Sequence, residues 1–249
     1  MEFTYDPALV AVSIAIAILG SFTGLVMTSG IQRIHGPEAF LRIILAGIAV
    51  GGGIWAMHFV AMLAVILPIP LGYNVAQTAT SALIAMIFTA IAFSIMSRKT
   101  PGAYTLPAGA VLLGAAIGAM HYLGMYAVRG ACRLEFSWLG VAISLIIAVQ
   151  ASAIALWFAF RERGLLDSLL GAVALALAVA SMHYSAMEAT RFLPAETTGE
   201  ALQNVLSHQV LALAVSITVY ILCGSCIVIF ALLTFARRAK LRRQRVPAE

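Results

Sequence analysis

The sequence predicts an all-α membrane protein: a seven-helix transmembrane bundle of three parallel two-helix repeats around a pseudo-threefold axis, plus a seventh helix. Three observations carry this. The 249 residues are 62% hydrophobic and 10% charged, with a mean hydropathy of +1.01, where a soluble domain carries about 25% charged residues. Seven apolar runs are long enough to cross a bilayer, which takes about 20 residues. One phrase, Met-His-[Phe/Tyr]-x-x-Met, occurs at residues 57–62, 120–125 and 182–187, at spacings of 63 and 62. Composition predicts on the order of 0.001 chance copies per chain.

The runs span 8–30, 41–68, 75–97, 104–128, 136–160, 165–190 and 207–236. Short connections leave no room for a soluble domain, so residues 1–236 read as one membrane unit and 237–249 as a basic tail. Lys and Arg outside the bilayer set orientation. With the N-terminus outside, the inner side holds Arg33, Arg42, Arg98, Lys99, Arg161, Arg163, Arg237, Arg238, Lys240, Arg242, Arg243 and Arg245. The outer side holds only Arg129, Arg133 and Arg191. The acidic start, Met1 to Asp6, lacks the cationic head of a cleaved signal peptide. The net charge of +5 therefore reads as topology and as attraction of the tail to anionic lipid, not as a nucleic-acid surface.

A period of about 62 residues is two membrane crossings, so the motif always falls on the second helix of a unit and all three motif helices run the same way. Each His lies about 17 residues past the inner boundary, or roughly 25 Å at 1.5 Å per residue, which is the outer leaflet. Gly114 and Gly118 before His121, Ala176 and Ala180 before His183, and Gly51 before His58 should let backbones approach closely below the ligands. Trp55 breaks that pattern in the first copy.

On a helix, His and the Met four residues later share a face. Three converging helices would stack a ring of His58, His121 and His183 beneath a ring of Met62, Met125 and Met187, roughly 6 Å apart. Met57, Met120 and Met182 point about 100° away and would flank the site. Imidazole suits several metals, and thioether narrows the choice to copper, above all Cu(I), with zinc as the alternative. Glu188, directly after the third motif, would offset a cation's charge or accept from a His. Tyr122 and Tyr184 fit either a hydrogen-bonding role or an interfacial aromatic belt; Phe59, at the same position, cannot donate. His35 and His208 read as solvated, with His208 alone able to approach the site from above. Cys223-Gly224-Ser225-Cys226 has redox-dithiol spacing but sits mid-span, where a small-residue packing face is expected.

The repeated phrase resembles the MHYT domain, a bacterial integral-membrane domain named for its Met-His-Tyr-Thr motif, and the resemblance covers nearly the whole chain. It implies a sensor in the bacterial cytoplasmic membrane that coordinates copper through His and Met and responds to a diatomic gas such as oxygen, carbon monoxide or nitric oxide. Such domains often precede diguanylate cyclase, phosphodiesterase, kinase or transcriptional modules. The Met and His positions are intact here, whereas Phe59 replaces the motif Tyr and the Thr position reads Val60, Leu123 and Ser185. The sequence closes about 13 residues after the seventh span, so a sensor of this kind is expected to signal through a separate partner protein.

Two other readings compete. Copper uptake or handling would use the His and Met rings as a soft-metal path, but Met27, Met86 and Met96 form no ladder through the inner halves of the spans. A membrane enzyme would place zinc on the three His with an open fourth position and Glu188 as base. The six motif Met argue against zinc, and three equivalent His do not match a bis-His haem.

Overall fold

The protein is described by a computed structural model that covers residues 1–98, 100, 102–160, 165–195 and 205–244. Lys99, Arg161, Arg163 and Arg245 of the topology argument lie outside the described residues, as do the side chains of Arg237, Lys240, Arg242, Arg243 and Cys226.

Among the described residues seven α-helices form: α1 (Pro7–Thr28), α2 (Pro37–Leu63), α3 (Val75–Met96), α4 (Thr105–Tyr126), α5 (Trp138–Ala159), α6 (Leu165–Glu188) and α7 (His208–Gln244). Six of them, α1 to α6, are long and apolar enough to cross a membrane; in α7 the described apolar stretch is His208–Ile221. Helices α1 to α6 pack in chain order, α6 closes the ring against α1, and α7 lies outside it against α2 and α1. Between α1 and α2 the chain turns through Gly30 and Gly36, whose φ values of 67° and 69° suit residues without a β-carbon.

Odd and even helices are built differently. The first helix of each repeat carries a buried stripe of small and hydroxyl residues: Ser13, Ala17 and Ser21 in α1; Ser81, Ala85 and Thr89 in α3; Ser144, Ala148 and Ser152 in α5. Large residues such as Leu83, Ile87, Ile91, Ile143 and Ile154 face outward. That is the arrangement a lipid surround favours, because small residues let helices approach while lipid accommodates the bulky ones. The motif helices lie deeper, and every residue of α2 from Ala49 onward is buried. Trp55 reaches from there to α3, its indole N–H donating to the Thr78 carbonyl at 3.0 Å.

The small residues below the motifs do permit close approach, but to the next helix in the chain. A β-carbon at Gly51 would stand 2.6 Å from the Met86 backbone in α3, and one at Gly114 would stand 2.7 Å from the Val149 α-carbon in α5. These glycines therefore join α2 to α3 and α4 to α5.

The seven short strands among the described residues, which hydropathy does not reveal, all lie at the end to which α2, α4 and α6 run: β1 (Thr4–Tyr5), β2 (Val65–Ile66), β3 (Gly72–Asn74), β4 (Val128–Arg129), β5 (Cys132–Phe136), β6 (Thr190–Pro194) and β7 (Val205–Ser207). The pairs β1–β2, β3–β4 and β5–β6 are antiparallel, one per repeat, and β7 adds to β3. Each repeat is thus a strand–helix–helix–strand unit. The N-cap residue of its first helix donates its backbone N–H to the carbonyl just past the end of its second helix: Asp6 to Ala64 at 2.8 Å, Asn74 to Ala127 at 2.8 Å and Ser137 to Ala189 at 3.0 Å. The threefold repetition seen in the sequence is therefore a threefold repetition of backbone hydrogen bonds.

Candidate metal centre

His58, His121 and His183 each sit five residues before the last residue of their helix, Leu63, Tyr126 and Glu188 respectively. Because the three helices are parallel and equivalently capped, equal offset means equal height. All three imidazoles are 1% exposed, and their Nδ1 atoms converge. His58 and His183 are 3.1 Å apart, His58 and His121 3.2 Å, and His121 and His183 3.3 Å. The ring planes stand at 76° to 82° to one another, with centroids 4.9 to 5.1 Å apart. These three form the one group of three or more His, Cys, Asp or Glu with clustered ligand atoms among the described residues.

Hydrogen bonding among themselves cannot satisfy such a triangle. A neutral imidazole offers at Nδ1 either one proton or one lone pair. One proton shared among three nitrogens leaves at least one of them facing another lone pair. A cation held by three lone pairs satisfies all three nitrogens together. The size fits: a triangle of sides 3.1, 3.2 and 3.3 Å has its centre about 1.8 Å from each corner, close to the 2.0–2.1 Å metal–imidazole bond. With Nδ1 as ligand, each Nε2 carries the proton. All three Nε2 atoms are buried without a hydrogen-bond partner among the described residues, so packing rather than an outer acceptor orients the rings.

That packing is visible around His58. Its ring meets Phe59 edge to face at 4.8 Å, and Phe59 is wedged against Trp55 and Tyr73 at 5.3 and 5.8 Å. On its other side stands Gly124 of the second motif, where a β-carbon would press on Nε2 and come within 2.8 Å of Cδ2. Sequence reasoning missed this residue. Its signal was the fifth motif position, small in every copy: Ala61, Gly124 and Ala186.

All six motif methionines, Met57, Met62, Met120, Met125, Met182 and Met187, are at most 1% exposed. The tyrosine rings pack edge to face on the triad, Tyr122 on His121 and Tyr184 on His183 at 4.9 Å, but their hydroxyls bond to the neighbouring helices. The Tyr122 hydroxyl bonds Ser144 Oγ at 2.7 Å, and Tyr184 bonds Ser13 Oγ at 3.4 Å. Ser81 holds the equivalent position opposite Phe59, and in all three copies the serine also donates to the carbonyl three residues back. Glu188 is exposed at the end of α6, and its charge acts on Tyr5 in the cap. Burial first, then Glu188 and Tyr184, push the Tyr5 phenol up. Tyr73 is fully buried in β3, with its phenol also pushed up by burial, and its hydroxyl donates to the Met62 carbonyl at 3.4 Å. His35 is exposed, as read from the sequence, whereas His208 is half-buried and hydrogen-bonded to the Leu63 carbonyl at 3.0 Å. Cys132 and Cys223 are free thiols.

The same repetition appears in comparison with other proteins. The chain matches the MHYT family, described as a bacterial signalling protein N-terminal repeat, over residues 1–37, 51–109 and 114–172. It is 36% identical over 230 residues to the bifunctional diguanylate cyclase/cyclic di-GMP phosphodiesterase MucR of Pseudomonas aeruginosa, covering 90% of this chain and 34% of that protein. It is 34% identical over 194 residues to the cyclic di-GMP phosphodiesterase NbdA of the same organism, covering 75% of this chain and 24% of that protein. To the signalling protein YkoW of Bacillus subtilis it is 29% identical over 201 residues, covering 77% of this chain and 25% of that protein. The chain thus spans about a third or less of the curated relatives it matches. No solved structure matches it. With the family match spread over most of the chain, and a Met-His-aromatic phrase on each motif helix of a three-repeat membrane bundle, this protein belongs to the MHYT family.

Proposed function

We propose that this chain is the sensing part of a membrane signalling system and that His58, His121 and His183 hold one copper ion, Cu(I), through Nδ1. The observation that carries the reading is the convergence of three buried Nδ1 atoms within 3.1 to 3.3 Å of one another. Met62, Met125 and Met187 are the thioether ligands or close neighbours on the capped side, and Met57, Met120 and Met182 line the surrounding shell. Three neutral nitrogens in an apolar surround favour a monovalent over a divalent ion, because burying the higher charge costs more. Soft sulfur nearby favours copper over zinc. When bound, Cu(I) supplies an electron-rich centre able to take oxygen, carbon monoxide or nitric oxide. The residues' part is to hold three lone pairs in place, exclude water, and register any shift of the imidazoles in three parallel helices at once.

In this reading the protein binds and reports, and is not itself an enzyme: Glu188, the acid nearest in sequence, is exposed and outside the cluster. The chain sits in the bacterial cytoplasmic membrane among its lipids, with the N-terminus and the strand cap outside and the tail in the cytoplasm. A separate signalling protein receives the output. Metal analysis of detergent-purified protein tests the core of this. The expected result is about one copper per chain, lost when all three His are replaced by Ala. Copper content unchanged by that replacement would overturn it, and zinc in place of copper would overturn the choice of metal. A carbon monoxide titration of the reduced protein, followed by infrared spectroscopy, tests the gas ligand.

A further inference from the structure

Helix α7 is the odd member of the bundle. It has 37 residues, against 22 to 27 for the other six. At 1.5 Å per residue that is about 55 Å, well beyond a hydrocarbon core of about 30 Å. It belongs to no repeat and packs outside the ring on α2 and α1. Its first residue is tied to the metal-centre end of α2. His208 Nε2 lies 3.0 Å from the carbonyl of Leu63, the last residue of α2 and five residues beyond His58. A carbonyl can only accept, so Nε2 carries the proton and donates.

A second link runs beside the first. The strand leading into α7 pairs with β3 in the register Gly72 to Ser207, Tyr73 to Leu206 and Asn74 to Val205. From the centre of that pairing the Tyr73 hydroxyl donates to the Met62 carbonyl at 3.4 Å. The carbonyls of Met62 and Leu63 belong to the last turn of α2, where no further turn of the helix supplies donors. Side chains of β3 and α7 supply them. The last turn of α2 is therefore hydrogen-bonded to the start of the longest helix, whose 37 residues exceed what a bilayer crossing needs.

We propose that α7 is the output rod of the domain and that His208 is the positioning residue coupling it to the His centre. A displacement of His58 moves the last turn of α2 as a rigid unit. The Leu63 carbonyl carries the His208 donor with it, and α7 transmits the shift to its far end. Among the described residues the last turn of α2 alone of the three motif helices is hydrogen-bonded to α7, which makes the output of a pseudo-threefold site asymmetric and gives the first motif the leading part. This rests on the proposed metal binding, and the test keeps the two separable.

Hydrogen exchange of the full-length protein in detergent, metal-free and loaded anaerobically with Cu(I), reads the coupling directly, with copper content measured on the same samples. In the wild type, loading is expected to slow exchange in the last turn of α2 and to change it by about fivefold or more in the first turns and the distal part of α7, the low end of ordinary allosteric coupling. H208F removes the donor. It is expected to keep its copper and its change in α2 but to lose the change in α7, while H208Q, whose amide N–H still donates, restores it. A copper-loaded wild type with no change in α7, or an H208F protein that retains it, overturns the relay and leaves the metal site standing. A wild type that takes no copper overturns both.

Discussion

The edge of the His58 imidazole fills the space that a β-carbon at Gly124 would occupy, so the first motif's histidine is seated by the second motif's fifth residue. A β-carbon at 124 would approach Cδ2 to 2.8 Å and Nε2 more closely still. Both residues are buried, so neither has free space into which to retreat. G124A should displace the His58 ring from the triangle, cost about 1–3 kcal/mol as overpacking does, and lower metal affinity by roughly 10- to 100-fold, as disturbing the support of a ligand does. Metal titration together with thermal unfolding in detergent checks both effects. A G124A protein that binds metal like the wild type would show that the ring has another place to go.

The tyrosine hydroxyls do not face the His triad. Y122F removes the 2.7 Å bond to Ser144 and should cost about 1 kcal/mol of stability, with copper content unchanged. Y184F removes only a 3.4 Å contact with Ser13 and should cost less. The first copy already carries Phe59 opposite Ser81, which is the same change made by the sequence itself. Loss of copper in Y122F without loss of stability would assign the hydroxyl a role at the metal after all.

The three repeats are clamped by related caps of unequal quality. Asp6 accepts from Ala8 N at 2.8 Å and Leu9 N at 3.4 Å, Asn74 accepts from Gln77 N at 3.1 Å, and Ser137 accepts from Gly140 N at a long 3.4 Å. Alanine at an N-cap typically costs about 1 kcal/mol. D6A and N74A should approach that value and S137A should fall well below it, as read by the shift in unfolding temperature. Equal losses at the three positions would mean that the backbone bonds to Ala64, Ala127 and Ala189, and not the side chains, carry the clamp.

Cys132 offers a pH test of the strand cap. Burial in β5 pushes its thiol up from the usual range, and the thiolate is the form that reacts with alkylating reagents. Alkylation at neutral pH should therefore be slow, and the rate should rise with pH through a midpoint above that of the denatured chain. The sign follows from the direction of the shift: raising the folded-state pKa lowers the thiolate fraction at any pH below it. A midpoint equal to that of the unfolded protein would show that the β5–β6 pair opens readily.

Much of this architecture is legible in the letters. Hydropathy alone marks the spans, because an apolar run long enough to cross a bilayer has few other uses; α1 to α6 begin and end within about five residues of their runs, whereas α7 continues to Gln244, past the end of its run at residue 236. The spacing of His58, His121 and His183 places them on parallel helices at equal height, since two crossings per repeat restore both direction and depth. Ligand chemistry is equally local: imidazole and thioether carry their preferences wherever they are placed.

What tertiary structure alone decided is how those residues meet. The strand cap escaped notice because its strands are two to five residues long, too short to show a period, and their pairing joins segments more than 50 residues apart. Gly51 and Gly114 do allow close backbone approach below the His level, and the helices that approach are α3 and α5, because helical periodicity defines a face but not the neighbour it meets. Glu188 stands next to the third motif in sequence but is exposed in space, where its charge acts on Tyr5, since it comes last in its helix, where the chain leaves the core. His208 was read as solvated, and a carbonyl 145 residues away claims it. Sequence determined which groups reach the same depth, through helical rise and membrane thickness. Only packing determined that three Nδ1 atoms close to within 3.3 Å, because that distance depends on the rotation of three helices and on the missing side chain of Gly124.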